Sequence, residues 1–123
     1  MQNQTGGVVL DQGHIFGFTS GKKSWICQNL KTGEDVWSER RKLREGSILY
    51  ADKHFYLYEE QTGTLVLIEA NTKEWVEKGR FTIPKRSQQN LPSGKIWTHP
   101  VISHGKLYLR DQELLFCFNV AKN

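Results

Sequence analysis

Thirteen acidic residues, four histidines and two cysteines are the groups with which this 123-residue chain could do chemistry. A metal centre asks for imidazole, thiolate or carboxylate ligands at short, fixed spacing. His14, His54, His99 and His104 show no such spacing. His14 and His54 occupy the same place in two similar stretches and read as structural, and His104 belongs to a tight turn. His99 lies in Trp97-Thr98-His99-Pro100, where it reads first as a capping histidine before a proline-fixed strand. Ligand contact by Trp97 and His99 is the alternative. Cys27 and Cys117 fall on equivalent strands of the first and third repeats described below. A whole layer of structure between them exceeds the roughly 7 Å that a disulfide can bridge, so both are expected as free, buried thiols. Asp11 and Asp52 sit at turns and read as turn formers, and no carboxylate set for general acid–base work assembles from the spacing. Phosphate-loop, nucleophile-elbow and zinc motifs are missing, and Asn3-Gln4-Thr5 is read as a chance match to the glycosylation sequon.

The net charge is +4. Its densest source is Arg40-Arg41-Lys42-Leu43-Arg44, flanked by Glu39 and Glu45, with Lys22-Lys23 and Lys85-Arg86 as lesser pairs. Basic runs can track phosphate backbones. No nucleic-acid module accompanies this one, so it reads as a solvated turn and no nucleic-acid partner is expected. No apolar run approaches the length of a membrane span. Met1 to Gly7 is too polar for a signal peptide, and an aromatic share of 11% argues against disorder.

These side chains must be positioned by a repeat. Val8-Val9-Leu10, Ile48-Leu49-Tyr50-Ala51 and Val101-Ile102 each lead through a polar turn into a second apolar run: His14 to Phe18, His54 to Tyr58, and Lys106 to Leu109. A loop and a third run follow each time: Trp25-Ile26-Cys27, Leu65 to Ile68, and Leu114 to Phe118. The runs are short, rich in β-branched and aromatic residues and bounded by turn chemistry, which predicts strands. Connections this short join only antiparallel neighbours. A fourth, mostly charged strand is expected at Glu34 to Trp37 and again at Glu74-Trp75-Val76, each at a wet edge, and Ser38 to Glu45 has room for one helical turn. The middle strands are apolar at consecutive positions, so both faces of each sheet are covered. Small four-stranded sheets stacked face to face make a β-propeller.

The stretch Leu30-Lys31-Thr32-Gly33-Glu34-Asp35-Val36-Trp37 resembles the A-x-T-G-x-x-x-W signature of the pyrroloquinoline-quinone-type (PQQ-like) propeller repeat. Gly105 to Asp111 and Leu115 to Val120 resemble the ending of bacterial PQQ-binding-like propeller proteins. The resemblance covers about residues 7 to 121. It implies an all-β, partial propeller of three antiparallel blades: 7–40, 46–83, and 97–121, the last lacking its outer strand, with an insertion at 84–96. It implies that Thr32 and Gly33 make the turn before the outer strand and that Trp37 docks on the neighbouring blade. The second repeat departs from the signature, with Lys73 in place of the glycine and Trp75 two places early. The chain is then expected to be the carboxy-terminal part of a longer propeller of a periplasmic or secreted family, covered by further blades or by self-association.

In such a meander the loops between blades and the loops between second and third strands share one face, where binding residues concentrate. That face would collect Arg41 to Glu45, Lys22-Lys23, Gln61-Thr62, Asp111-Gln112 and the insertion Pro84 to Thr98, with Trp97, His99, Arg110, Asp111, Gln112, Lys22 and Arg41 as the candidate contacts. Two functions are expected from different classes. One is a non-catalytic scaffold or protein- or ligand-binding module with no cofactor. The other is the end of a quinoprotein oxidoreductase using PQQ and calcium, whose acid–amide ligand set the sequence does not supply.

Overall fold

A computed structural model describes residues 7–85, 96, 98–112 and 114–120. Among them there are eleven strands and no helix. The first sheet is β1 (Val8–Asp11), β2 (His14–Thr19), β3 (Ser24–Asn29) and β4 (Asp35–Glu39). The second is β5 (Gly46–Ala51), β6 (His54–Glu59), β7 (Thr64–Glu69) and β8 (Glu77–Thr82), and the third is β9 (Val101–Ser103), β10 (Lys106–Asp111) and β11 (Leu114–Asn119). Each sheet is an antiparallel meander in chain order. The three are blades of a partial β-propeller, two with four strands and the last with three.

The repeat is visible in the turns. First and second strands are joined by two residues, Gln12-Gly13, Asp52-Lys53 or His104-Gly105, and all six have positive φ. That is the type I′ turn, whose twist matches antiparallel strands. Each turn receives the same later bond: Leu30 N, Ala70 N and Val120 N donate to the carbonyls of Gly13, Lys53 and Gly105 at 2.9–3.1 Å. His14 and His54 each donate from Nδ1 to a turn carbonyl, Gln12 O at 2.8 Å and Asp52 O at 2.6 Å. Both histidines are therefore turn braces.

Alternation along the strands builds two cores. One face of the first blade (Phe16, Phe18, Trp25, Cys27, Trp37) packs on Ile48, Phe55, Leu57, Val66 and Ile68 of the second. The second blade turns its other face (Tyr56, Tyr58, Leu65) to Leu107 and Leu109 of the third. The central blade is thus covered on both sides.

Three expectations need correction. The outer strand of the second blade is Glu77–Thr82 rather than Glu74 to Val76. The intervening residues are taken up by an Asn71-centred turn, whose Oδ1 accepts from Lys73 N and Glu74 N, and Trp75 lies between that turn and the strand. Residues 40–45 form no helical turn; Leu43 drops into the core between the first two blades instead. Cys27 is buried, but Cys117 is exposed, because among the described residues no blade packs on its face of the third sheet.

Candidate functional site

The loops after β2, β4 and β6 converge at one end of the stack. They enclose a cleft of about 660 Å³ between the first two blades, lined by Ser20 and Lys23, by Arg40, Arg44 and Glu45, and by Glu59, Glu60 and Gln61, with Phe18 as its floor. The rim cations Lys23 and Arg40 are exposed. The acids of the cleft are engaged. Glu59 is buried at the end of β6, and its carboxylate accepts from Gln61 N at 2.9 Å, Thr62 N at 2.7 Å and the Thr62 hydroxyl. It holds its own loop closed. Glu60 uses its backbone to join elements: its N–H donates to Glu45 O at 3.0 Å, and its carbonyl accepts from Ile96 N at 2.5 Å.

The basic run is more than a solvated turn. It straps the first blade to the second. Trp25 Nε1 donates to Arg44 O at 3.0 Å, Arg44 Nη1 to Gln61 Oε1 at 2.6 Å, and Arg80 Nη2 to Lys42 O at 2.7 Å. Lys42 Nζ stands 5.9 Å above the Trp75 ring, within cation–π range. Arg80 also grips Glu77 through Nε and Nη2 at 3.1 and 3.0 Å. That hydrogen bond, and then the nearby positive charge, hold the Glu77 carboxyl below its ordinary value, while the same bond raises Arg80. Arg41 lies away from the main cleft, on a shallower groove with Arg44, Thr62 and Arg80.

The other anticipated residues do not join the cleft. Lys22 Nζ pairs with Asp35 at 2.5 Å, turning toward the outer strand. Arg110 Nε donates to Gln112 O at 2.6 Å, so these two close the loop after β10. The Arg110 carbonyl accepts from Tyr58 OH at 3.3 Å and Thr98 Oγ1 at 2.7 Å, which ties the third blade to the second. Asp111 is fully buried at the strand-end position that Glu59 holds in the second blade. His99 is exposed, and a Cβ placed on Gly7 would meet its ring at 3.4 Å. Trp97 lies outside the described residues, as do 86–95 of the insertion.

The turn residues before β4 are explicit. Asn29 Oδ1 accepts from Lys31 N and Thr32 N, Thr32 Oγ1 accepts from Glu34 N at 3.2 Å, and Gly33 takes φ +74°. Trp37 then reaches across to the second blade. Its Nε1 donates to Asn71 O at 2.8 Å, and its ring meets Trp75 edge-on, centroids 5.9 Å apart. Among the described residues no group of three His, Cys, Asp or Glu side chains is placed to hold a metal ion. Glu45 and Gln61 belong to loops that the sequence places on this face, and Glu59 and Glu60 lie beside one of them; what the sequence does not reveal is that they line one cleft.

No family model matches the chain, and no curated protein matches it.

Proposed function

We propose that the chain is a non-catalytic β-propeller segment, a rigid scaffold that binds a protein or ligand on its loop face and takes its place in a larger assembly of blades. The observation that carries this reading is the cleft between the first two blades. It offers exposed cations on a firmly strapped framework, with its best-defined carboxylate, Glu59, spent on capping a turn. Such a site supplies charge and shape for recognition. The resemblance of Leu30 to Trp37 to the PQQ-like repeat supports a bacterial, exported setting within the same proposal.

The second reading, a quinoprotein oxidoreductase, rests on that repeat resemblance alone. PQQ with calcium needs several free carboxylate and amide oxygens around one point. Both Glu59 oxygens already accept protein hydrogens, and Asp111 is buried in the junction of the second and third blades. Among the described residues no three His, Cys, Asp or Glu side chains stand together to hold a metal ion, which supports the scaffold reading. Titration with PQQ and calcium, followed by tryptophan fluorescence, tests the choice: Trp25, Trp37 and Trp75 are all buried reporters. The scaffold reading predicts no saturable change. A saturable change at stoichiometric cofactor would overturn it.

A further inference from the structure

The outer strands of the first two blades pair in the same register. Trp25, Ile26, Cys27 and Gln28 of β3 face Glu39, Ser38, Trp37 and Asp35, while Leu65, Val66, Leu67 and Ile68 of β7 face Phe81, Arg80, Gly79 and Glu77, and the bulge falls at the same place in both. Gly79 therefore stands where the first blade has Trp37. At the first junction that indole fills the space between blades. It packs near Phe16 with centroids 6.2 Å apart, meets Trp75 edge-on and donates to Asn71 O. At the second junction a Cβ on Gly79 would meet no atom within 4 Å. A cavity of about 250 Å³ opens there, lined by Tyr56, Leu65, Leu67, Gly79, Phe81 and Val120. Tyr56 and Leu67 are the register counterparts of Phe16 and Cys27. Val120 is the counterpart of Ala70, since each donates its N–H to the turn between the first two strands of its blade. The cavity thus has the surroundings of Trp37 without the ring.

We propose that this cavity is a binding site for a small planar aromatic ligand of indole size. The chain itself shows which shape the place accepts, because it seats an indole in the equivalent one. An apolar cavity of about 150 Å³ takes up benzene, so this larger one has room for a fused ring. Leu65, Leu67 and Val120 supply apolar wall. Phe81, held against Phe118 with centroids 4.7 Å apart, supplies a ring on which another can pack. Arg80 also borders the cavity, but its guanidinium is engaged by Glu77 and Lys42 O, so the site asks for an uncharged ring. Tyr56 lines this cavity and the neighbouring one that holds Asp52, Lys53 and His54. Its hydroxyl has no hydrogen-bond partner among the described residues, which leaves one polar handle for a ring N–H or hydroxyl. The site lies between the second and third blades, apart from the loop-face cleft between the first two, and does not depend on what that cleft binds.

Titration of the full chain with indole, followed by calorimetry and by amide chemical shifts, tests this. Binding should be saturable and one-to-one, with the shifts centred on Tyr56, Leu67, Gly79, Phe81 and Val120. Gly79→Trp should supply the missing ring from the chain itself. Gly79 is exposed and its φ lies outside the left-handed region, so its backbone takes a side chain without strain. The variant should show a higher urea midpoint than the parent chain, and its affinity for indole should fall by roughly tenfold or more. Binding to the parent chain that never saturates, or shifts centred on the loop-face cleft or on any other surface, overturns the proposal whether or not the variant folds. So does a folded Gly79→Trp chain that binds indole as tightly as the parent. None of these outcomes touches the cofactor titration, which decides the scaffold reading separately.

Discussion

Lys53 takes φ +60° at the second position of its type I′ turn, where the first and third blades have Gly13 and Gly105. A side chain there meets the steric cost of the left-handed region, only partly offset by the lower entropy of the unfolded lysine. Lys53→Gly should therefore raise stability by about 0.5 kcal/mol, seen as a higher urea midpoint with unchanged slope. A fall in the midpoint would show that the turn gains more from the lysine than its backbone costs. Cys27 makes the opposite kind of prediction. Burial pushes its thiol up to about 11. An acid whose pKa rises on folding gives its full stabilisation below its unfolded value and loses it as pH climbs through the folded one. Stability should fall between about pH 9 and pH 11, and a Cys27→Ala chain should show a shallower fall over that window. The sequence told that both cysteines are free, since their repeat positions keep them a blade apart. It also suggested that both are buried, and Cys117 is not, because burial at that position is conferred by a following blade.

Elements were legible wherever apolar alternation and turn chemistry agreed. All three inner hairpins follow from an apolar run, a two-residue turn and a second apolar run, and Asn29 to Trp37 announces its own turn and outer strand. Strand β8 was not legible. Glu77-Lys78-Gly79-Arg80-Phe81-Thr82 has one large apolar residue, all six positions are exposed, and pairing to β7 rather than burial holds it in place. Edge strands of this kind carry little hydrophobic signal. The junctions between elements yield two tests. Gly46 opens β5 so near β6 that a Cβ would stand 2.0 Å from Tyr58 O. Gly46→Ala should thus cost about 3 kcal/mol by forcing the two strands apart, read from chemical denaturation. Trp37 closes the first inter-blade core and donates to Asn71, so Trp37→Ala should cost about 3–5 kcal/mol. A loss below 1 kcal/mol would mean that the outer strand does not help hold the first blade to the second.

Among the described residues the second blade is the layer that packs on a neighbouring blade through both of its faces. The cleft, the basic strap and the Trp37 dock all lie at the junction of the first two blades, whereas the third blade is held by one core among the described residues, with Val101 and Leu115 exposed on its far side. Spatial convergence of this sort is absent from linear spacing. Lys23, Arg44 and Glu59 meet only because three loops leave two stacked sheets at the same end. Opening free energy should grade with position in such a stack. Amide hydrogen exchange on the full chain is the most direct test. The account predicts slowest exchange in β6 and β7 of the central blade and fastest among the strands in β8, β9 and the unpaired edge of β11. Protection in β9–β11 equal to or greater than that in β6 and β7 would contradict a sector of face-stacked blades.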